Sequence, residues 1–146
     1  MELSEQSKGR LQGKVALVTG AARGVGFATA QRFCQEGATV LMTDINSAQG
    51  EAAAAQIGAR FMLLDVAQEA NWQRCAAVIA EDYGRLDILV NNAAILRSSD
   101  ILQESLAQWR EVMAVNADSV FLAIHYLLPI ISASGAGSII NMSSSS

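Results

Sequence analysis

A glycine-rich turn between a short apolar strand and an amphipathic helix is the feature that most constrains this chain. Residues 15–18 are β-branched or aliphatic, and the run stops at glycines spaced as Gly20-x-x-x-Gly24-x-Gly26. Glycine permits positive φ and lets the backbone approach a ligand closely. The first-turn N–H groups of the next helix would face outward, where the helix dipole favours an anion such as pyrophosphate. The pattern predicts a βα turn that binds a nucleotide.

The second predicted strand ends on an acidic residue. Asp44 follows Gly26 by eighteen residues, and an acid at about that distance can accept hydrogen bonds from both hydroxyls of an adenosine ribose. A glycine turn alone has a second interpretation, because many βα turns carry glycine for steric reasons only. The preceding strand, the amphipathic helix and the terminal acid together favour nucleotide binding.

Strands and helices continue to alternate along the chain. The further predicted strands are residues 60–64, 86–90 and 138–142, and the further predicted helices are residues 48–57, 72–83 and 106–131. Pro129 lies inside the last helix and should bend or end it. Apolar strands at this rhythm predict an α/β fold with a parallel sheet covered on both faces. Ligands bind at the carboxyl edge of such sheets, where five features would gather: the glycine turn, Asp44, Asp65, Asn91 and Ser144.

The composition limits which classes of protein this chain can belong to. The chain has 146 residues, of which 51% are hydrophobic and 16% charged, which indicates one globular domain. We expect residues 1–12 to form a flexible arm and residues 13–146 to form the domain. The net charge of −4 argues against partners such as nucleic acid or an anionic membrane. The polar start and the lack of an apolar run of about 18 residues predict a cytoplasmic protein.

The sequence lacks the motifs of several other classes of enzyme. Cys34 and Cys75 are far apart and are interpreted as reduced thiols on apolar helix faces. His125 is the single histidine, so we expect a helix-surface residue and no metal site. Neither a Walker-type phosphate loop nor a Gly-x-Ser-x-Gly motif occurs, which argues against phosphoryl transfer and serine hydrolysis.

Five motifs, in order, resemble those of the classical short-chain dehydrogenases/reductases. They are Thr19-Gly20-x-x-x-Gly24-x-Gly26, Asp44, Asp65-Val66, Asn91-Asn92-Ala93 and Asn116. The resemblance runs from about Gly13 to the last residue. It implies a Rossmann-type doubly wound sheet with strand order 3-2-1-4-5. It also implies hydride transfer between a nicotinamide cofactor and a small-molecule secondary alcohol or ketone.

The resemblance also assigns residues to the cofactor. The implied cofactor-binding set is Gly20, Arg23, Gly24, Val25, Gly26, Asp44, Ile45, Asp65, Val66, Asn91 and Ala93. Other interpretations stay open, because Asp65 could simply cap the next turn and asparagines at strand ends are common turn formers. Ala94 stands where the family has glycine, and its Cβ would shift the loop slightly.

Two residues are implied for the chemistry. Asn116 lies at the edge of the apolar stripe of the long helix, where an amide needs a hydrogen-bond partner. It could make an ordinary interhelical bond, or hold a water in a proton relay as the resemblance implies. Ser144 matches the serine that binds the substrate carbonyl, with Ser143 a one-residue alternative. The serine run at residues 143–146 could also be a low-complexity tail.

Charge decides the expected cofactor. Asp44 would repel a 2′-phosphate, so NAD is expected in preference to NADP. Arg23 favours the opposite choice, because a basic residue at that place accompanies NADP in part of the family. Asp44 takes the greater weight, since Ile45 supplies no compensating cation.

The family's acid–base motif, Tyr-x-x-x-Lys, is not found in these residues. Tyr83 is followed four residues later by Asp87, and Tyr126 by Ile130. The chain is therefore expected to be the N-terminal part of a longer enzyme or a truncated product. A silent nucleotide-binding or interaction module is the alternative function, and a methyltransferase is a third. The apolar long helix, residues 102–131, suggests a homo-oligomer.

Overall fold

Five parallel strands form the centre of the fold. The computed structural model describes residues 9–97 and 100–144. Its strands are β1 Val15–Thr19, β2 Thr39–Asp44, β3 Arg60–Leu63, β4 Ile88–Asn91 and β5 Ser138–Asn141. They pair in the order β3-β2-β1-β4-β5, and every pairing is parallel. The predicted Rossmann-type sheet and its strand order are confirmed.

Helices cover both faces of the sheet. They are α1 Gly24–Gln35, α2 Ser47–Ile57, α3 Glu69–Asp82, α4 Leu106–Met113 and α5 Ser119–Ala133. Side chains alternate between faces along a strand, so Leu17 and Leu89 share a core with Trp72 and Leu127 of α3 and α5. The intervening strand residues form a second core with α1 and α2. This burial on both sides explains the near-continuous apolar sequence of the central strands β1, β2 and β4, whereas the outer strands β3 and β5 are more exposed.

The predicted helix 106–131 is interrupted where the sequence showed no signal. A π-helical turn, Ala114–Asp118, separates α4 from α5, and the N–H of Ser119 donates to the carbonyl of Ala114 five residues earlier. The Ser119 hydroxyl donates to the Val115 carbonyl at 2.6 Å. The helix does not end at Pro129, which is exposed on α5, so the carbonyl that proline leaves without a helical donor can face water.

The long helical run, Leu106–Ala133, is also long and apolar enough to cross a membrane by length and composition. In the fold, however, α5 places Ala123, Leu127 and Ile131 in the core. A core helix of a globular protein passes the same test. The apolar side chains of α4 are not buried in this way, since Leu106 and Trp109 are more than half exposed.

The residues just before β1 are tied to the end of α1. The N–H of Leu11 donates to the Glu36 carbonyl at 2.9 Å. The backbone N–H and guanidinium of Arg10 each donate to the Glu36 carboxylate at 3.0 Å. Residues 9–12 of the predicted flexible arm are therefore bound to the domain, and residues 1–8 lie outside the described part of the chain.

A buried carboxylate secures the amino edge of the sheet. Asp87 precedes β4 and accepts from the N–H of Val15 at 2.8 Å and from the Arg85 guanidinium at 2.9 and 2.6 Å. Lys14 lies 3.7 Å from the same carboxylate. The hydrogen bond from Arg85 holds the pKa of Asp87 below its ordinary value, although burial alone would raise it. The sequence analysis did not identify this role.

We expect Asp87→Asn to lower the free energy of unfolding at about pH 7 by about 1–3 kcal/mol, because a buried, charge-assisted network loses its acceptor. The folded pKa lies below the unfolded one. The contribution of the carboxylate is therefore complete above the unfolded pKa of about 4 and is lost as pH falls through the folded value. Urea unfolding at several pH values measures both effects, and the difference from the wild type should shrink in acid.

Asp82→Asn is the matched control, because Asp82 pairs with Arg60 on the surface and surface ion pairs contribute little. A wild-type advantage over Asp87→Asn that is constant from neutral to acid pH would contradict the assignment.

Candidate nucleotide-binding site

A cavity of about 430 Å³ opens at the carboxyl edge of the sheet. Its lining comprises Gly20, Arg23, Gly24, Val25, Asp44, Ile45, Leu64, Asp65, Val66, Asn92, Ala93, Ala94, Ile95 and Val115. All the cofactor-binding residues proposed from sequence line it except Gly26 and Asn91. The structure adds residues next to strand ends β3 and β4, together with Val115 from the π turn.

The three glycines of the turn have different physical roles. Gly20 and Gly24 have positive φ values of 62° and 58°. A Cβ on Gly24 would meet no described atom within 4 Å, whereas a Cβ on Gly26 would lie 2.3 Å from the Gly20 carbonyl oxygen. Gly24 therefore keeps the cavity wall bare, and Gly26 allows α1 to pack closely on the turn. This packing role explains why Gly26 does not line the cavity.

The amino end of α1 supplies hydrogen-bond donors to this wall. Arg23 is the N-cap residue, its backbone is extended, and its side chain makes no capping bond. The first-turn N–H groups of any helix lack acceptors within the helix. The Arg23 side chain lines the same cavity and adds a positive charge to the positive end of the helix dipole. This end of the cavity is suited to an anion.

Asp44 is held against the glycine turn. One carboxylate oxygen accepts from the N–H of Ala22 at 3.1 Å, and the other accepts from the N–H of Asn46 at 3.0 Å. Its side chain is half-buried and lines the cavity. The carboxylate thus has a defined position beside the turn, and each oxygen can accept a further bond from a ligand hydroxyl.

Thr19 and Asn92 join the turn to the loop after β4. The Thr19 hydroxyl accepts from the N–H groups of Asn92 and Ala93, each at 3.0 Å. In return, the Asn92 side-chain amide donates to the carbonyls of Thr19 at 3.0 Å and Gly20 at 3.1 Å. The sequence analysis placed Asn92 in a motif but not among the site residues. Its position beside a strand end was the available signal.

Asp65 combines the two interpretations that the sequence left open. Its carboxylate accepts from the N–H of Ala67 at 3.0 Å, so it does cap the next turn. It also lines the cavity beside Val66. The Val66 carbonyl accepts from the Trp72 indole at 2.8 Å, which secures this part of the wall to α3.

The side chains of Asn91 and Asn116 both form hydrogen bonds to other residues of the chain. The Asn91 amide donates to the Asn141 side-chain oxygen at 2.8 Å, linking β4 to β5. The Asn116 amide accepts from the N–H of Ile95 and donates to the Ile95 carbonyl, both at 2.8 Å. Asn116 therefore joins the π turn to the loop after β4, and within the described part of the chain its side chain shows no interhelical bond.

Ser143 and Ser144 are exposed and are not among the described residues that line the cavity. The N–H of Met142 donates to the Asn91 carbonyl at 3.0 Å, so the ladder extends one residue beyond β5. Ser143 and Ser144 follow directly. They leave the sheet at the same edge as the cavity.

The other candidate groups lie outside the cavity lining. In the described ranges 9–97 and 100–144, no cluster of three His, Cys, Asp or Glu side chains could hold a metal ion. His125 is exposed on α5 and stacks on Phe121. Burial raises the pKa of the Cys75 thiol to about 12 and also raises the pKa of the Cys34 thiol, which favours the protonated form of both over the nucleophilic thiolate.

Comparisons with known proteins agree with this geometry. The family model described as short chain dehydrogenase matches residues 14–146. The chain is 41% identical over 140 residues to 2,5-dichloro-2,5-cyclohexadiene-1,4-diol dehydrogenase LinX of Sphingobium indicum, covering 92% of this chain and 56% of that protein. It is 42% identical over 138 residues to 3-alpha-(or 20-beta)-hydroxysteroid dehydrogenase of Mycobacterium tuberculosis, covering 93% and 53%.

A solved structure also matches. A crystal structure assigned to a short-chain dehydrogenase/reductase from Burkholderia xenovorans superposes with a TM-score of 0.83 at 37% identity, covering 91% of this chain and 54% of that one. The chain spans about half the length of the curated relatives it matches.

We expect Asn92→Asp to lower the free energy of unfolding by about 1–3 kcal/mol, because a carboxylate cannot donate to the Thr19 and Gly20 carbonyls. Asn46→Asp is the control, since Asn46 caps α2 by accepting from the N–H of Gln49 and aspartate caps equally well. Urea unfolding compares them. Equal stability of the two variants would contradict the lock between the turn and the β4 loop.

Proposed function

This chain belongs to the short-chain dehydrogenase/reductase family, and we propose that residues 13–146 bind a nicotinamide dinucleotide in the cavity at the carboxyl edge of the sheet. We further propose that the whole protein transfers hydride between that cofactor and a secondary alcohol or ketone. Its relatives are named as dehydrogenases of a cyclic diol and of hydroxysteroids. They support a small-molecule alcohol or ketone as substrate.

The observation that carries the proposal is the position of Asp44. Its carboxylate is hydrogen-bonded to Ala22 inside the glycine turn, and both features line one cavity. A dinucleotide needs donors for its pyrophosphate and an acceptor for its ribose hydroxyls at a short separation. The start of α1 and Asp44 meet both requirements. The bare wall at Gly24 leaves space for the pyrophosphate.

NAD is the proposed cofactor in preference to NADP. A 2′-phosphate beside the Asp44 carboxylate would place two negative charges together in a half-buried site, which is unfavourable. Arg23 lines the same cavity and offers the one opposing charge among its described lining residues. Arg23 belongs to the glycine turn, where its positive charge would also attract the pyrophosphate.

The catalytic residues belong to the same edge of the sheet. When bound, the nicotinamide ring would supply or accept the hydride. The Ser144 hydroxyl would donate to the substrate carbonyl and stabilise charge on its oxygen. Both polar atoms of the Asn116 side chain bond to Ile95, so the proposed relay would contact Asn116 through its backbone. The proposal also requires a proton donor of tuned pKa, which none of the motifs in residues 1–146 provides.

The proposal extends to location and assembly. We propose a cytoplasmic protein that acts without nucleic acid or membrane partners, in keeping with its net charge of −4. We also propose a homo-oligomer formed through residues 102–131. The exposed apolar side chains Trp109 and Phe121 of the long helix support this pairing, since exposed apolar patches mark interaction surfaces.

Calorimetric titration with NAD and NADP tests cofactor binding. The wild type should bind NAD more tightly than NADP. Asp44→Asn keeps an oxygen that can accept from Ala22 but removes the charge, and should weaken NAD binding about tenfold or more, because charged hydrogen bonds to the ribose are lost. The preference for NAD over NADP should narrow in the same variant, since the repulsion is removed.

Glu51→Gln is the matched control. It removes one negative charge from the exposed side of α2, where Glu51 accepts from Ser47, and should leave both affinities unchanged. If no heat is released with either dinucleotide, the interaction module without a nucleotide is favoured. Binding of S-adenosylmethionine without NAD would instead indicate a methyltransferase.

A further inference from the structure

A side-chain hydrogen bond clasps the carboxyl ends of β4 and β5. Asn91 and Asn141 are register partners in the parallel ladder, and the Asn91 amide donates to the Asn141 side-chain oxygen at 2.8 Å. Asn91 is only 7% exposed, so its amide donor requires a partner from the protein. Asn141 is exposed and supplies that partner. The sequence analysis gave no role to Asn141.

The clasp lies on the sheet face that α5 covers. Side chains alternate along a strand, so Asn91 shares its face with Leu89, which packs in the core with α5. Asn141 likewise shares its face with Ile139, which contacts the same core. The clasp lies at the last register pair of the two strands, from which the chain continues towards Ser144.

A backbone bond reinforces the same point. The N–H of Met142 donates to the carbonyl of Asn91 at 3.0 Å. Asn91 therefore holds the β5 end twice, through its carbonyl to Met142 and through its side chain to Asn141. The side-chain bond therefore adds to the backbone ladder at the point where residues 143 and 144 leave β5.

We propose that Asn141 is a positioning residue, whose side-chain bond to Asn91 fixes the exit of the chain from β5 and thereby the place of the Ser144 hydroxyl. This inference rests on the proposed function, because it takes Ser144 as the group that binds the substrate carbonyl. A misplacement of about 1 Å at a reacting centre can lower turnover by about a hundredfold. A purely structural asparagine would change stability alone.

Substitutions of Asn91 and Asn141 can either keep or remove the hydrogen bond between them. Asn141→Asp keeps an acceptor for the Asn91 amide, whereas Asn141→Leu has a similar size and no acceptor. Asn91→Asp also keeps the bond, because the Asn141 amide can turn and donate to the new carboxylate. The double variant Asn91→Asp/Asn141→Asp places two acceptors face to face and abolishes it.

Hydrogen exchange of the Met142 amide is the first measurement, and it requires no cofactor. The exchange rate should rise about tenfold or more in Asn141→Leu, because the remaining bond opens more readily, and should stay within about twofold of the wild type in Asn141→Asp. Equal exchange in these two variants would overturn the proposal.

Steady-state kinetics of the full encoded protein, with NAD and a secondary alcohol, is the second measurement. Asn141→Leu and the double variant should lose about tenfold to a hundredfold in kcat, with an unchanged KM for NAD. Asn141→Asp should keep most of the wild-type kcat, because it retains the acceptor for the Asn91 amide. A loss in kcat that simply follows thermal stability across the four variants would overturn the proposal, since a structural role predicts that pattern.

NAD binding and alcohol turnover by the wild type distinguish failure of this inference from failure of the proposed function. If the wild type binds NAD and turns over alcohol while Asn141→Leu behaves like it, the function stands and the positioning role fails. If the wild type neither binds NAD nor turns over alcohol, the proposed function fails and the positioning role fails with it.

Discussion

The reciprocal bonding between Thr19 and Asn92 is the constraint on which the rest of the site depends. A glycine turn with a bare wall has few side chains of its own to stabilise it. Here the half-buried side-chain amide of Asn92 donates to the carbonyls of Thr19 and Gly20, and the Thr19 hydroxyl accepts from two N–H groups of the β4 loop. The turn and the β4 loop therefore form one rigid wall, from which the cavity opens.

The two edges of the sheet use carboxylates in opposite ways. At the amino edge, Asp87 is fully enclosed and bonded to Val15 and Arg85. At the carboxyl edge, Asp44 is only half-buried, and it accepts one backbone N–H at each oxygen. The enclosed acid serves the fold alone. The half-buried acid is positioned by the fold and still faces a cavity, which is the arrangement a ligand-binding carboxylate requires.

Three asparagines connect the elements at the carboxyl edge of the sheet. Asn91 joins β4 to β5, Asn92 joins the β4 loop to β1, and Asn116 joins the π turn to Ile95. An asparagine amide can hydrogen-bond without carrying charge, so these residues connect elements without the desolvation cost of an ion. The loop after β4 is thereby attached to β1 and to the π turn, and β4 itself to β5.

The sequence by itself determined the parallel sheet, its strand order through the family resemblance, and most of the cavity lining. These follow from local patterns, because an apolar strand, a glycine turn and a terminal acid are each visible within a few residues. Only the tertiary structure decided that Gly26 serves packing, that Asn91 faces Asn141, and that the long helix contains a π turn. Each of these depends on contacts between residues distant in the chain or on a change of helical hydrogen bonding that apolar periodicity does not reveal.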